Sequence, residues 1–120
     1  MKRIVAAFLM VMMIPVMPVQ AKDFIEVEVT YYIPTGNLTK TETVPKEGRT
    51  IAVDPELIPL GSCVALWDEE GEFLGYFEAE DTGSEINGAD IDVFKECSKK
   101  EALELGRHKG YAVVYPEAVG

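Results

Sequence analysis

The sequence predicts a small all-β protein, a closed barrel of six short strands with one short helix. Three features of the 120-residue chain support this fold class. An early segment alternates strictly between polar and apolar residues, turn-forming residues recur between short apolar runs, and a single segment carries a helix start signal. Strands this short favour closure, because a closed barrel leaves no exposed sheet edge. The predicted strands cover residues 24–33, 49–53, 62–67, 72–80, 89–94 and 109–115.

The first predicted strand, residues 24–33, has the period of two that is typical of a half-buried strand. Proline and glycine in residues 34–37 break this strand, and a polar, threonine-rich segment runs on to Gly48. One face of the strand carries Glu26, Glu28 and Thr30, and the other carries Ile25, Val27, Val29 and Tyr31.

Turn and cap residues delimit the later elements. Asp54-Pro55 ends the second strand, and Asp68 to Gly71 is a hairpin signal between the third and fourth strands. Ser98 and Glu101 form a capping box, in which each side chain satisfies a backbone amide at the start of a helix. Gly106 is placed to end that helix.

Residues 1–21 are predicted to be a cleavable signal peptide. Two basic residues follow the first methionine, residues 4–17 are apolar apart from one proline, and Val19-Gln20-Ala21 fits a small-x-small cleavage site. The apolar run is short for a membrane span, although a membrane anchor is the alternative interpretation. We therefore expect residues 22–120 to form one secreted domain, in the cell wall or periplasm, that does not insert into a membrane.

The charge of the predicted mature chain excludes two classes of partner. Residues 22–120 keep 9 basic and all 21 acidic side chains, a formal net charge of −12. Nucleic-acid binding needs a basic face that neutralises phosphates, and docking on anionic lipid needs the same. An acidic surface also has a simpler interpretation, which is solubility outside the cell.

The two cysteines, Cys63 and Cys97, are predicted to form a disulfide. An even cysteine count outside the cytosol favours a bridge. The alternative is a pair of free, buried thiols. No pairing of cysteine with histidine for zinc or for nucleophilic catalysis is visible, because His108 is the sole histidine.

Three aspartates stand out by their context. Asp54 ends a strand before a proline, Asp81 opens a glycine-containing turn directly after a strand, and Asp92 lies in a strand between Ile91 and Val93. Strand alternation puts Asp92 on the face opposite Ile91. An aspartate in such a strand either faces solvent or is placed for use, and composition leaves both interpretations open.

The string Asp81-Thr82-Gly83-Ser84 also occurs around the catalytic aspartate of aspartic proteases. Three observations disfavour that interpretation. The chain has one such string and would have to dimerise to supply two carboxylates. Residues 78–80 are Glu-Ala-Glu where that family has an apolar strand, and the string lies past the middle of the predicted mature chain.

A metal site is a further alternative, because five carboxylates fall within 13 residues. A calcium loop needs glycine at its sixth position and glutamate at its twelfth. Counted from Asp81, those positions hold Ile86 and Asp92, so the match fails and we expect no metal or other cofactor. The five carboxylates are Glu80, Asp81, Glu85, Asp90 and Asp92.

Four ordered blocks of the sequence resemble the 3D domain, a family named for three aspartates. Those aspartates fall here at Asp54, Asp81 and Asp92, and the resemblance covers residues 29–116. The tail also matches, with Glu101-Ala102, Leu105-Gly106-Arg107 and a closing apolar strand. The blocks are Thr50-Ile51-Ala52-Val53-Asp54-Pro55, Ile58-Pro59-Leu60-Gly61-Ser62, Ala79-Glu80-Asp81-Thr82-Gly83, and Ile86-Asn87-Gly88 with Ile91-Asp92-Val93.

The resemblance implies a six-stranded double-psi β-barrel that acts on peptidoglycan. Members include lytic transglycosylases and stationary-phase muralytic proteins, which cleave the β-1,4 bond between N-acetylmuramic acid and N-acetylglucosamine and leave a 1,6-anhydro end. It implies that Asp92 is the acid and base. Asp81 is then expected to stabilise positive charge, and Asp54 to hold the site together or bind sugar. The carboxylates of the three aspartates should converge on one groove, with Asp54 at its edge.

The implied partner is a peptidoglycan glycan strand, and we expect the protein to be a monomer. The residues expected to bind this substrate are Thr82, Gly83, Asn87 and Gly88. The alternative function is a non-catalytic barrel that binds cell-wall glycan, since one fold can host either role.

The chain departs from the family pattern beside the expected site. Ser84 and Glu85 replace Gly-Ala, Asn87 replaces a lysine, and Asp90 stands where a basic residue is common. A lysine that some members carry after the first strand has Asn37 or Lys40 as its nearest counterpart. These changes make the expected cleft more negative, which should weaken binding of carboxylate groups on the substrate.

Overall fold

The computed structural model describes residues 24–116, and the predicted signal peptide lies outside these residues. Within them, no helix has the length and apolar character needed to cross a bilayer. The elements match the predicted segments to within one or two residues. They are β1 (Ile25–Tyr32), β2 (Thr50–Ala52), β3 (Cys63–Asp68), β4 (Phe73–Asp81), β5 (Asp90–Phe94), α1 (Lys99–Leu105) and β6 (His108–Tyr115).

The six strands close into a barrel in the order β1-β5-β2-β4-β3-β6. Two neighbouring pairs, β1–β5 and β2–β4, run parallel, and the other pairs are antiparallel. The first and last strands are neighbours and close the ring, with Ile25 opposite Ala112. This arrangement confirms the predicted all-β double-psi barrel with one short helix.

The barrel interior is a single apolar core. In β1 the predicted alternation is confirmed, because Val27 and Val29 are buried whereas Glu26 is exposed. Each fully buried aliphatic side chain stabilises the fold by about 1.5–3 kcal/mol. The other strands and the turn after β2 contribute further fully buried residues, namely Ile51, Val53, Ile58, Val64, Leu66 and Ile91.

The predicted turn and helix signals are also confirmed. Asp68 Oδ1 accepts hydrogen bonds from the amides of Glu70 at 3.0 Å and Glu72 at 2.8 Å, which fixes the β3–β4 hairpin. Ser98 and Glu101 form the reciprocal capping box that starts α1. The helix ends at Gly106, whose φ of 68° is the positive value that glycine adopts readily.

The predicted disulfide between Cys63 and Cys97 is wrong, since both are half-buried free cysteines. The physical reason is the strand order. Cys63 begins β3, which lies between β4 and β6, whereas Cys97 follows β5, which lies between β1 and β2. The two strands are therefore on opposite sides of the six-membered ring. An even cysteine count carries no information about this topology.

We expect the substitution Gly110→Ala in β6 to destabilise the barrel by about 2 kcal/mol, the range of overpacking in a rigid core. A Cβ at this position would lie 2.6 Å from the backbone oxygen of Trp67 and 3.3 Å from a methyl group of Val29. The free energy of unfolding in urea measures the effect. Gly71→Ala is the control, because its Cβ would enter open space and carries only the penalty of a positive φ of 88°. A smaller loss for Gly110→Ala than for the control would contradict the proposed clash.

Candidate active site

The strand order brings Asp81 and Asp92 to either side of one small residue. β2 lies between β5 and β4, and Ala52 in β2 is in register with Asp92 on one side and with Asp81 on the other. Thr30 in β1 is in register with Asp92 and extends the row by one strand. Strands are spaced about 4.8 Å apart, so the Cα atoms of the two aspartates are about 10 Å apart.

Both aspartates line one open groove of about 330 Å³, here called the aspartate groove. Its size suits a small ligand, since binding pockets are typically about 300–1,000 Å³. Two loops build its walls: the β4–β5 loop, residues 82–89, and the β1–β2 loop, residues 33–49. The lining beside the aspartates includes Tyr32, Leu38, Ala52, Thr82, Gly83 and Phe94.

Asp92 is a half-buried carboxyl group in the middle of β5. Its Oδ1 accepts a hydrogen bond of 2.8 Å from the hydroxyl of Thr30. Burial raises the pKa of Asp92, and the negative charges of Asp81 and Asp90 raise it further. The bond from Thr30 and the positive charge of Arg107 lower the pKa without cancelling the rise. A raised pKa is what a general acid requires.

Asp81 is held by three donors at the end of β4. Its Oδ1 accepts hydrogen bonds from the amides of Lys40 and Thr82, each at 3.0 Å. Its Oδ2 accepts a bond of 3.1 Å from the hydroxyl of Tyr32. Burial, and then the charge of Asp81, raise the pKa of Tyr32, so this phenol stays a donor. Asp81 therefore fixes both walls of the groove as well as facing into it.

Asp54 connects two loops outside the lining of the groove. Its Oδ2 accepts a hydrogen bond of 2.7 Å from the amide of Gly88, and its Oδ1 accepts one of 3.0 Å from the amide of Glu56. These two bonds lower the pKa of Asp54. The backbone amide of Asn87 donates a hydrogen bond of 3.1 Å to Asp90 Oδ2. Asp54 and Asp90 thus hold two consecutive backbone amides in the final turn of the β4–β5 loop.

The structure brings together four of the seven predicted site residues. Asp81, Asp92, Thr82 and Gly83 share the aspartate groove. The other three, Asp54, Asn87 and Gly88, lie outside its lining, where their hydrogen bonds hold the β4–β5 loop.

Sequence reasoning missed Thr30 and Tyr32, which bind the two aspartates directly. The alternation of β1 does place Thr30 and Tyr32 on one face, but only the parallel register with β5 shows that this face meets Asp92. Within residues 24–116, no cluster of three or more His, Cys, Asp or Glu side chains is arranged to hold a metal ion.

A buried carboxylate next to Asp81 anchors the β1–β2 loop. Glu80 is 7% exposed, and its Oε1 accepts hydrogen bonds from Thr50 at 2.8 Å, Thr43 at 3.2 Å and Arg49 Nε at 3.2 Å. A second guanidinium nitrogen of Arg49 lies 3.1 Å from the same oxygen. Consecutive side chains of β4 therefore hold this loop, Glu80 from inside the fold and Asp81 from the groove.

Arg107 supplies positive charge close to Asp92. Its guanidinium lies 3.2 Å from Glu28 Oε1 and 3.8 Å from Asp90 Oδ1. The negative charge that Asp90 adds to the family pattern is thus paired with a cation. Ser84 and Glu85, which replace Gly-Ala of the family pattern, are exposed in the β4–β5 loop.

We expect Asp92→Asn to raise the free energy of unfolding at neutral pH. The folded-state pKa of Asp92 is raised, so the folded protein binds a proton more tightly than the unfolded chain does. Its contribution to stability is present at low pH and is lost as the pH rises through the folded-state pKa. Urea unfolding at several pH values should show the advantage of the variant shrinking in acid.

The matched control for this pH effect is Asp54→Asn, which should have the opposite sign. The pKa of Asp54 is lowered, so its contribution is present above the unfolded-state pKa and is lost as the pH falls. This variant should be less stable than the parent at neutral pH and approach it in acid. Equal shifts of the same sign in both variants would contradict the assignment.

A model of the 3D domain family matches residues 49–115, more than half of the chain, and the chain belongs to that family. The match includes all three aspartates. It also removes the aspartic protease interpretation of Asp81-Thr82-Gly83, because the string here is one block of the 3D pattern.

Two relatives come from Bacillus subtilis (strain 168). YabE, provisionally named a cell wall shaping protein, is 54% identical over 46 residues, which are 38% of this chain and 10% of YabE. YorM, an uncharacterised protein derived from the SPbeta prophage, is 35% identical over 97 residues, which are 74% of this chain and 40% of YorM. The chain therefore spans less than half the length of either relative.

Solved structures of lytic transglycosylases share the fold. MltA from E. coli superposes with a TM-score of 0.56 and 18% identity over 69% of this chain and 28% of MltA. A structure of E. coli MltA with bound chitohexaose gives a TM-score of 0.55 and 17% identity over 67% and 28%. LtgG of Burkholderia pseudomallei gives 0.51 and 26% identity over 71% of this chain and 29% of LtgG.

Proposed function

We propose that this protein is a peptidoglycan lytic transglycosylase that breaks the β-1,4 bond between N-acetylmuramic acid and N-acetylglucosamine. The observation that carries the proposal is the pairing of Asp92, whose pKa is raised, with Asp81 across Ala52 in one open groove. Membership of the 3D family and the shared fold of lytic transglycosylases support it.

One carboxyl group is sufficient for this reaction as acid and base. The Asp92 carboxyl donates its proton to the glycosidic oxygen as the bond from that oxygen to C1 of N-acetylmuramic acid breaks. The 6-hydroxyl of the same sugar then attacks C1, and its proton passes to the Asp92 carboxylate. No water molecule is consumed, and the products are a 1,6-anhydro end and a free 4-hydroxyl.

The remaining groups stabilise the developing charge and position the Asp92 carboxyl and the glycan. The Asp81 carboxylate faces the groove and offsets the positive charge that develops at C1. Thr30 orients Asp92 through their hydrogen bond. Thr82 and Gly83 contact the glycan from the β4–β5 loop, whereas Asp54, Asn87 and Gly88 act through the shape of that loop. All of these groups come from one chain, which supports action as a monomer. A peptidoglycan substrate, together with the predicted signal peptide, supports action outside the cytoplasm.

Digestion of purified peptidoglycan by the wild-type protein, followed by mass spectrometry of the soluble fragments, tests the proposal. A lytic transglycosylase releases anhydro-ended fragments. Reducing-ended fragments would instead indicate hydrolysis by water. The absence of any soluble fragment, together with binding to the insoluble wall, would indicate the non-catalytic glycan-binding barrel.

A further inference from the structure

The aspartate groove continues into a second hollow along the β1–β2 loop. This hollow, here called the distal section, has a volume of about 250 Å³. The two hollows share five lining residues, so they lie side by side, and the distal section is the one that does not include Asp92. The shared residues are Thr35, Asn37, Leu38, Pro45 and Phe94.

The distal section is uncharged along most of its lining. Phe94 lies beneath its lining and is buried, with 3% of its surface exposed. Two aliphatic side chains at its rim are open to solvent, Val44 at 71% and Leu38 at 57%. Asn37 and Thr35 supply polar groups, and Glu96 is the single charged residue. No lysine or arginine belongs to this lining.

We propose that the distal section is a subsite for a further uncharged N-acetylated sugar of the same glycan strand. The inference rests on the proposed function, since it takes the strand to lie at Asp92. A pyranose ring presents carbon–hydrogen faces to Leu38 and Val44, and its hydroxyl and acetamido groups reach Asn37 and Thr35. A carboxylate-bearing lactyl or peptide group is disfavoured, because Glu96 faces it and no cation of the lining offsets its charge.

The β1–β2 loop is held firmly enough to form such a subsite. Glu80 binds the loop at Thr43 and Arg49, and Asp81 binds it at the amide of Lys40. The guanidinium of Arg49 also donates a 2.6 Å hydrogen bond to the carbonyl of Val44. The exposed Val44 side chain is therefore carried on an anchored backbone, so it is a fixed wall for a ligand.

Calorimetric titration of the Asp92→Asn protein with chitobiose and chitotetraose tests the subsite. Both probes are neutral oligomers of N-acetylglucosamine, and the variant prevents turnover. We expect chitotetraose to bind at least about tenfold more tightly than chitobiose, a difference equivalent to about 1.4 kcal/mol. Adding Val44→Glu should reduce this preference about tenfold, because it places a charge against the sugar face.

The matched control is Leu103→Glu on α1, an aliphatic side chain that is 70% exposed and lines neither section. Equal affinities for the two probes, or equal effects of the two glutamate substitutions, would overturn the subsite. A peptidoglycan disaccharide that carries its peptide is the charged probe. If it bound more tightly than chitotetraose and lost this advantage with Val44→Glu, the assignment to a neutral sugar would be overturned. This titration does not test the proposed function, which is tested by the products that the wild-type protein releases from peptidoglycan.

Discussion

Replacement of Asp92 by asparagine is expected to lower the rate of peptidoglycan solubilisation by at least about 100-fold, the usual loss when a general acid is removed. Asparagine keeps the size of the side chain and can still accept the hydrogen bond from Thr30. It has no titratable proton for the leaving oxygen. Release of anhydro-ended fragments from purified peptidoglycan measures the rate, and sedimentation with the insoluble wall measures binding, which should survive.

Asp90→Asn is the matched control, because Asp90 lies on the same face of the same strand. Its charge raises the pKa of Asp92, so its removal should lower that pKa and move the alkaline fall in activity to lower pH. The rate at the optimum should change far less than in Asp92→Asn. Asp81→Asn should slow the reaction by an intermediate amount, since Asp81 stabilises charge without transferring the proton. Anhydro-fragment release by Asp92→Asn at the parent rate would rule out the mechanism.

Replacement of Glu80 by alanine is expected to destabilise the protein by about 3 kcal/mol, the lower end of the range for breaking a buried ion pair. The lower end applies because the partner side chain, Arg49, is 34% exposed. The fully buried hydroxyl of Thr50 also loses the acceptor to which it donates. Urea unfolding measures the stability. Because the β1–β2 loop would lose its inner anchor, affinity for chitotetraose should fall as well.

Glu80→Gln separates charge from shape in this cluster. The amide oxygen can accept from Thr50 and Thr43, so this variant should retain more than half of the stability lost in Glu80→Ala. Its glycan affinity should stay near that of the parent. Identical losses in the two variants would show that the negative charge, and not the set of hydrogen bonds, holds the loop.

Much of the fold could be predicted from local sequence signals. Period-two alternation identified β1, and the capping box of Ser98 and Glu101 identified α1, because each signal lies within a few consecutive residues. The cysteines show where such reasoning stops. Whether Cys63 can reach Cys97 depends on the order of six strands in a ring, and strand order is a long-range property.

The same limit applies to the candidate site. The family pattern drew attention to Asp81 and Asp92, but their common neighbour, Ala52, is recognisable only from the registers of β2 with β4 and β5. Asp54 has the context of a functional residue, yet its carboxylate is occupied by backbone amides. Asp54, which organises a loop, and Asp81, which also faces the groove, have the same sequence signature, because both come at the end of a strand and precede a turn.

The closing contact between β1 and β6 makes the domain suitable for insertion into other proteins. Antiparallel pairing of Ile25 with Ala112 places the start of the first strand beside the end of the last one. Neighbouring ends let a domain interrupt a surface loop of a host protein without separating the host's own strands. A barrel of this kind can therefore form an inserted domain within a much longer polypeptide. Joining residues 24 and 116 through a short linker, and opening the chain at the Asp68–Gly71 turn, should accordingly yield a circular permutant with the same barrel.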